Sequence, residues 1–242
     1  MKRAYVLTFA FLGLLSIVII SGCKKDSDNS MTADYNPKIN AGEFVSEVTN
    51  PFFPLAPGTT FQYRAETDEG TEINKVHVTH ATKKILGVTC TVVADSVWLE
   101  GVILEATFDW YAQHQDGTVW YFGEDVDNYE SGVLVDHAGS WEAGVGSGKP
   151  GIILEASPRV GDIYRQEFEP GVVEDMGEVL SLKESVTVPY GSFPNCLKTR
   201  DWTPLEPDKE ANKCYASGVG LVLEVFTKGS SERVELVNIT SE

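Results

Sequence analysis

From Thr59 onward, hydrophobic and polar positions alternate along the chain with a period of two. Phe61, Tyr63 and Ala65 alternate with Gln62, Arg64 and Glu66, and Val186 and Val188 alternate with Ser185 and Thr187. This is the pattern of strands that bury one face. Segments of the same kind lie at 73–81, 85–98, 102–114, 118–123, 132–137, 151–155, 162–168, 178–188, 195–202, 211–216, 221–227 and 232–239, separated by Gly, Asp, Asn and Pro. No apolar stretch in this region holds a helical period beyond two turns. A short helix competes with a strand only at 174–182 (EDMGEVLSL). The joins are too short for parallel crossovers, so the expected fold is all-β, an antiparallel meander forming a barrel, half-barrel or sandwich.

One hairpin departs from simple alternation. Residues 108–113 (FDWYAQ) and 118–122 (TVWYF) flank Asp116-Gly117, a dipeptide suited to a two-residue turn with positive φ. With Gln115 opposite Thr118, Tyr111 would pair with Phe122 on one face and Ala112 with Tyr121 on the other. Both faces then carry aromatic rings. A strand pair with water on one side would show polar residues there, so this pair is either covered on both sides in a thick core or lines an aromatic ligand pocket. Trp110, Tyr111, Trp120, Tyr121 and Phe122 are the candidate ligand-binding residues.

The amino-terminal segment has a different pattern. Met1-Lys2-Arg3 is basic, residues 4–20 are uncharged and mostly apolar, and the run ends at Ile20-Ser21-Gly22-Cys23, the layout of a secretory signal peptide. Ile-Ser-Gly-Cys resembles the lipobox of bacterial lipoproteins. That resemblance implies cleavage before Cys23, acylation of its thiol with a chain such as palmitate, and a protein tethered to the cell envelope rather than spanning a membrane. Lys24 stands where enterobacterial inner-membrane lipoproteins carry Asp, which implies the outer membrane. The charged run Lys24-Lys25-Asp26-Ser27-Asp28 resembles the tethers of Bacteroidota lipoproteins, some of them displayed outside, so the periplasmic and surface faces both stay open. The expected organisation is a signal peptide at 1–22, a lipidated Cys with a polar tether at 23–50, and one β domain at 51–242. Within the tether only Phe44, Val45 and Val48 could dock, as a short helical turn. Three prolines between Asn50 and Gly58 make the start of the domain an ordered lead-in outside the sheet ladder.

Composition narrows the function classes. The chain has 242 residues, 42% of them hydrophobic, with 22 Gly and 11 Pro, a globular balance. Its formal charge of −17 excludes nucleic acid and anionic membrane surfaces as direct partners, because each phosphate contact needs a cation. Cleavage before Cys23 removes Lys2 and Arg3 and no acid, leaving 17 basic against 36 acidic residues, or −19, on the exported body. The expected partners are the membrane, reached through the lipid, and either a small apolar ligand or an envelope protein.

Candidate chemistry is sparse. With Cys23 committed to lipid, Cys90, Cys196 and Cys214 remain. A hairpin centred on residue 205 would set Cys196 opposite Cys214 as a cross-strand disulfide, with Cys90 a buried thiol. Gly146-Ser147-Gly148-Lys149-Pro150-Gly151 has dinucleotide spacing but no helix can follow Pro150, so it reads as a loop. His77 and His80 fall on opposite faces of a strand, unlike a zinc pair, and no G-x-S-x-G serine elbow occurs. The acidic stretch 124–130 (EDVDNYE) offers hard oxygens for calcium without the register of a calcium loop. Glu105 and Asp109 share a strand face but stand too far apart, about 14 Å between Cα atoms at ~3.4 Å per residue, for a glycosidase pair. A carboxylate-dependent hydrolase using Glu174, Asp175 and Glu178 is the weakest alternative. No cofactor, metal ligand or catalytic residue is assigned.

Residues 186–193 (VTVPYGSF) and 214–222 (CYASGVGLV), with 50–60 (NPFFPLAPGTT), resemble segments of a family of exported bacterial β-rich proteins. The resemblance spans most of 50–239. It implies a fold and carries over no functional residue, since its Pro and Gly set turns and bulges while its Val and Leu fill a core.

Overall fold

A computed structural model describes residues 35–242. The signal peptide and Cys23 therefore lie outside the described residues. Fourteen strands follow in order: β1 (Thr59–Thr67), β2 (Gly70–Ile85), β3 (Val88–Leu99), β4 (Val102–Gln113), β5 (Val119–Glu130), β6 (Val133–Asp136), β7 (Trp141–Glu142), β8 (Gly151–Leu154), β9 (Ile163–Arg165), β10 (Met176–Val188), β11 (Gly191–Trp202), β12 (Glu210–Ala216), β13 (Gly220–Lys228) and β14 (Arg233–Ser241). They form one antiparallel sheet in the order β6-β5-β4-β3-β2-β1-β14-β13-β12-β11-β10-β9, with β7 and β8 both paired to β5. The first and last strands meet in the middle, Phe61 opposite Ile239 and Tyr63 opposite Leu236.

The meander is nearly all local hairpins, and three turns show why. Leu86-Gly87, Glu100-Gly101 and Ser131-Gly132 each place two successive residues at positive φ, between 48° and 83°. That geometry matches the right-handed twist of the flanking strands, and glycine takes its second position without steric cost.

The sheet curls but does not close into a continuous ladder. Its two ends approach through β8: Val119 and Tyr121 of β5 pair with Leu154 and Gly151, while Lys149 forms an isolated antiparallel bridge with Phe168, just beyond β9. The concave face follows one phase of each strand, running from Tyr63 through Asn74, Val97 and Glu105 on one side and through Leu236 and Val234 on the other.

Three sequence expectations need correction, and one alternative left open, at 174–182, is decided. The hairpin at Asp116-Gly117 has a three-residue loop: the His114 amide donates to Thr118 O and Gly117 sits at φ +100°. Tyr111 therefore faces Tyr121, and Ala112 faces Trp120. A one-residue slip exchanges the faces of every partner, which is why the expected Tyr111–Phe122 pair does not form. The acidic stretch 124–130 is the second half of β5, with Glu124 and Val126 facing inward, and not a loop. At 174–182 the strand wins over the helix. Finally, residues 35–50 pack on the body instead of forming a free tether: Ala41–Glu43 makes a single 3-10 turn, Phe44 meets the Phe122 ring edge-on at 5.6 Å, and Val48 is buried, while Val45 stays exposed.

Candidate ligand-binding cavity

The Pro-rich lead-in forms a roof over the concave face, held at three points. Gln113 Oε1 accepts from the Thr49 and Asn50 amides at 2.8 and 2.7 Å, Asn50 Nδ2 donates to Gly117 O and Glu155 O, and Gly218 N donates to Pro51 O at 2.6 Å. Under this roof lies a small cavity partly open to solvent. Phe53, Leu55, Ile153, Val219 and Leu221 give it apolar walls, and Tyr63, Asp95, Asp109, Tyr111, Lys213 and Tyr215 give it polar groups. Phe53 meets Tyr111 edge-on, with ring centroids 5.1 Å apart.

The polar groups follow from register. Asp95 of β3 stands opposite Thr107 of β4, and Asp109 stands opposite Val93 and Glu124. The two aspartates are thus diagonal neighbours on one face of adjacent strands. Asn74 donates to Asp95 Oδ1 at 2.9 Å, and the Tyr121 hydroxyl donates to Asp109 Oδ1 at 2.5 Å. Burial, then Asp109 and Glu105, push the Asp95 carboxyl well above its ordinary range. Burial raises Asp109 to about 7 against the opposing hydrogen bonds of Tyr121 and Tyr111. Lys213, projecting from β12, is held by Asp201 at 3.1 Å and Glu224 at 3.9 Å. Burial works against its charge, but these carboxylates more than offset that and hold its pKa above the ordinary lysine value. Among the described residues no cation forms an ion pair with Asp95 or Asp109.

The structure divides the five aromatic residues singled out in the sequence. Tyr111 lines the cavity. Tyr121 stacks behind it at 4.5 Å with a 15° tilt and in turn meets Trp141 edge-on. Trp110, Trp120 and Phe122 belong to the opposite face of the sheet. There Lys83 Nζ lies 3.2 Å from the centre of the Trp110 ring, while also pairing with Glu142 at 2.7 Å.

Cys196 and Cys214 are buried free thiols and not a disulfide, as is Cys90. Cys214 stands opposite Lys198, because β11 and β12 pair two residues out of the expected register. Among the described residues no group of His, Cys, Asp and Glu could hold a metal ion. The candidate hydrolase acids separate: Asp175 is buried, Glu178 pairs outside with Arg200 at 3.2 Å, and Glu174 accepts from the Gly171 amide.

Sequence reasoning missed Asp95, Lys213 and the roof residue Phe53, and met Asp109 only as half of a rejected pair. A signal was available: Asp95 lies between Val93 and Val97, and Lys213 between Ala211 and Tyr215, charges in the apolar phase of otherwise alternating strands.

No protein-family model matches the chain, and no curated protein does. Two solved structures are distantly similar. One is a protein from Bacteroides fragilis described as exported and of YmcC-like fold, 17% identical over 78% of this chain and 99% of its own, with a TM-score of 0.47. The other is a protein from Parabacteroides distasonis described as a lipoprotein, 14% identical over 78% of this chain and 98% of its own, with a TM-score of 0.44. Likenesses this remote do not bear on function.

Proposed function

We propose that the chain is an envelope lipoprotein, moored to the outer membrane through Cys23, whose curled sheet is a non-catalytic module for binding a small ligand with an apolar body. The observation that carries this reading is the roofed cavity, with apolar walls above and polar groups below, the arrangement common to small-molecule sites. The roof is tied to the hairpin tip and to the β12–β13 turn, so the cavity is preformed, and less ordering free energy opposes binding. Saturation-transfer NMR of the purified mature protein with small aromatic and branched aliphatic compounds tests the reading. Val219→Trp, a substitution at a partly exposed turn on the cavity wall, is expected to abolish saturation transfer while leaving the thermal midpoint within a few degrees. Equal transfer in wild type and variant would remove the cavity from the account.

A second reading, action through the surface on an envelope protein, is favoured by the edge strand β6. Its Val133, Leu134 and Val135 are all exposed, and such an edge is a template for pairing with another chain. A stoichiometric envelope partner lost on Leu134→Lys would support that reading over the first.

A further inference from the structure

The cavity's polar groups are unevenly distributed. Lys213, Asp201 and Glu224 satisfy one another on the β11–β13 wall. On the β2–β4 wall the lining presents Asp95 and Asp109, with Asn74 and Glu105 beside them on the same sheet face but outside the lining. Asp95 and Asp109 are each 4% exposed: Asp95 receives a side-chain hydrogen bond from Asn74, Asp109 receives them from Tyr121 and Tyr111, and among the described residues neither has an ion pair. Asn74, 3% exposed, spends its amide N–H on Asp95 and leaves its own Oδ1 without a hydrogen-bond partner. Two residues along β4 from Asp109, Thr107 donates to Glu105 Oε1, while Glu105 Oε2 is likewise unpartnered at 2% exposure. Buried acceptors in this position are costly until something donates to them.

From this one-sided wall, and resting on the reading of the cavity as a ligand site, we infer that Asp95 and Asp109 form a subsite for a protonated amine, so that the ligand is a small primary amine with an apolar body. An ammonium supplies three donors and no acceptor, the complement of what the wall presents. Its hydrogen bonds to carboxylates are charge-assisted, and the low polarity of the surroundings strengthens them. The apolar body then lies against Phe53, Leu55, Ile153 and Leu221. A ligand with a carboxylate head would add a third acid to two buried ones and find no available cation, since Lys213 is already held by two acids. Any proton carried by Asp109 in the empty cavity leaves when the ammonium docks, so the binding enthalpy depends on the ionisation enthalpy of the buffer.

Titration calorimetry of the mature protein with isoamylamine, isoamyl alcohol and isovalerate tests the inference, because the three share one branched body and differ in the head. The amine is expected to bind at least tenfold more tightly than the alcohol, and isovalerate most weakly. Asp95→Asn and Asp109→Asn are expected to bring the amine-to-alcohol ratio within about twofold of one, and Val219→Trp to weaken amine and alcohol alike. Equal binding of amine and alcohol to the wild-type protein, or an unchanged ratio in both Asn variants, would overturn the amine subsite and leave the cavity standing. Failure of all three compounds to bind would overturn the cavity reading with it. If the Asn variants fail to fold, the wild-type ranking of the three heads decides.

Discussion

At the scale of single residues, the interior carries more negative groups than it can hold ionised. Among the described residues, Glu72, Asp95, Glu105, Asp109, Glu124, Glu167, Asp175, Asp201 and Glu224 are buried, against two buried cations, Arg165 and Lys213. Removing a charge from water costs several kcal/mol, so lone buried acids take up protons instead. Burial raises Glu72 and Glu105 to about 8, and Asp109 and Glu224 to about 7. It also raises Glu124 and Glu167, which repel one another.

The consequence for stability has a definite sign. An acid whose folded pKa lies above its unfolded value keeps a proton in the native chain that the unfolded chain has released. Its contribution is complete below the ordinary carboxylate range near 4 and is lost as pH rises toward 7 to 8, by up to about 1.4 kcal/mol per pH unit for each group inside its window. Urea unfolding is therefore expected to show a lower midpoint at pH 8 than at pH 5. Glu105→Gln, which keeps an acceptor for Thr107, should flatten that difference. A midpoint that rises from pH 5 to pH 8 would show that these acids are ionised in the native state.

At the scale of elements, bulges and close approaches decide which side chains turn inward. Gly123 lies at φ +133° where the β4–β5 register shifts, and a Cβ there would come within 2.3 Å of Trp141 O. The shift lets Tyr121 and Glu124 both face the interior, which a separation of three residues on a regular strand would not permit. Gly151 does similar service where β8 brings the sheet ends together, since a Cβ would lie 2.0 Å from Gln166 O. Gly123→Ala is expected to destabilise the fold by about 2 kcal/mol or more, read as a lowered unfolding midpoint, because it adds backbone strain to a backbone clash. An exposed glycine that meets nothing, Gly161, is the control: its alanine variant keeps the strain of φ +93° without the clash and should cost less.

At the scale of the whole molecule, a meander whose ends meet through β8 leaves a concave face that the amino-terminal lead-in roofs over. The cavity thus lies against Phe53, Pro54 and Leu55, part of the stretch that leads back toward Cys23 in the chain. Under the proposed anchoring, Cys23→Ser should move the protein from the membrane to the soluble fraction and abolish labelling by a fatty-acid probe. Retention of both would place the anchor elsewhere.

Legibility in the sequence was uneven, for physical reasons. Strand positions were readable because one phase of each strand is buried, and Phe61-Tyr63-Ala65 or Val186-Val188 record that directly. Phe44 and Val48 were readable as docking points because they are apolar in a polar stretch. The hairpin register at Gln115–Gly117 was not, since both two- and three-residue loops accept Asp-Gly, and they differ by the slip that exchanges faces. The pairing of Cys196 with Cys214 failed in the same way, by a two-residue offset in a loop whose length the sequence does not constrain. The cavity was hidden because its two walls come from strands β2–β4 and β11–β13, distant in the chain.

Sequence alone determined the all-β meander, because period-two alternation and glycine turns act over a few residues and need no distant partner. It also determined the acidity of the body and the export-like amino terminus, which are properties of composition and order. Only the tertiary structure decided that the sheet curls around a space, that the Pro-rich lead-in closes over it, and that Asp95 and Asp109 meet there without a cation. Those outcomes depend on register, on bulges at positions such as Gly123, and on how far buried carboxylates lie from Lys213. Each of these is fixed by packing across strands far apart in the chain, where local pattern carries no information.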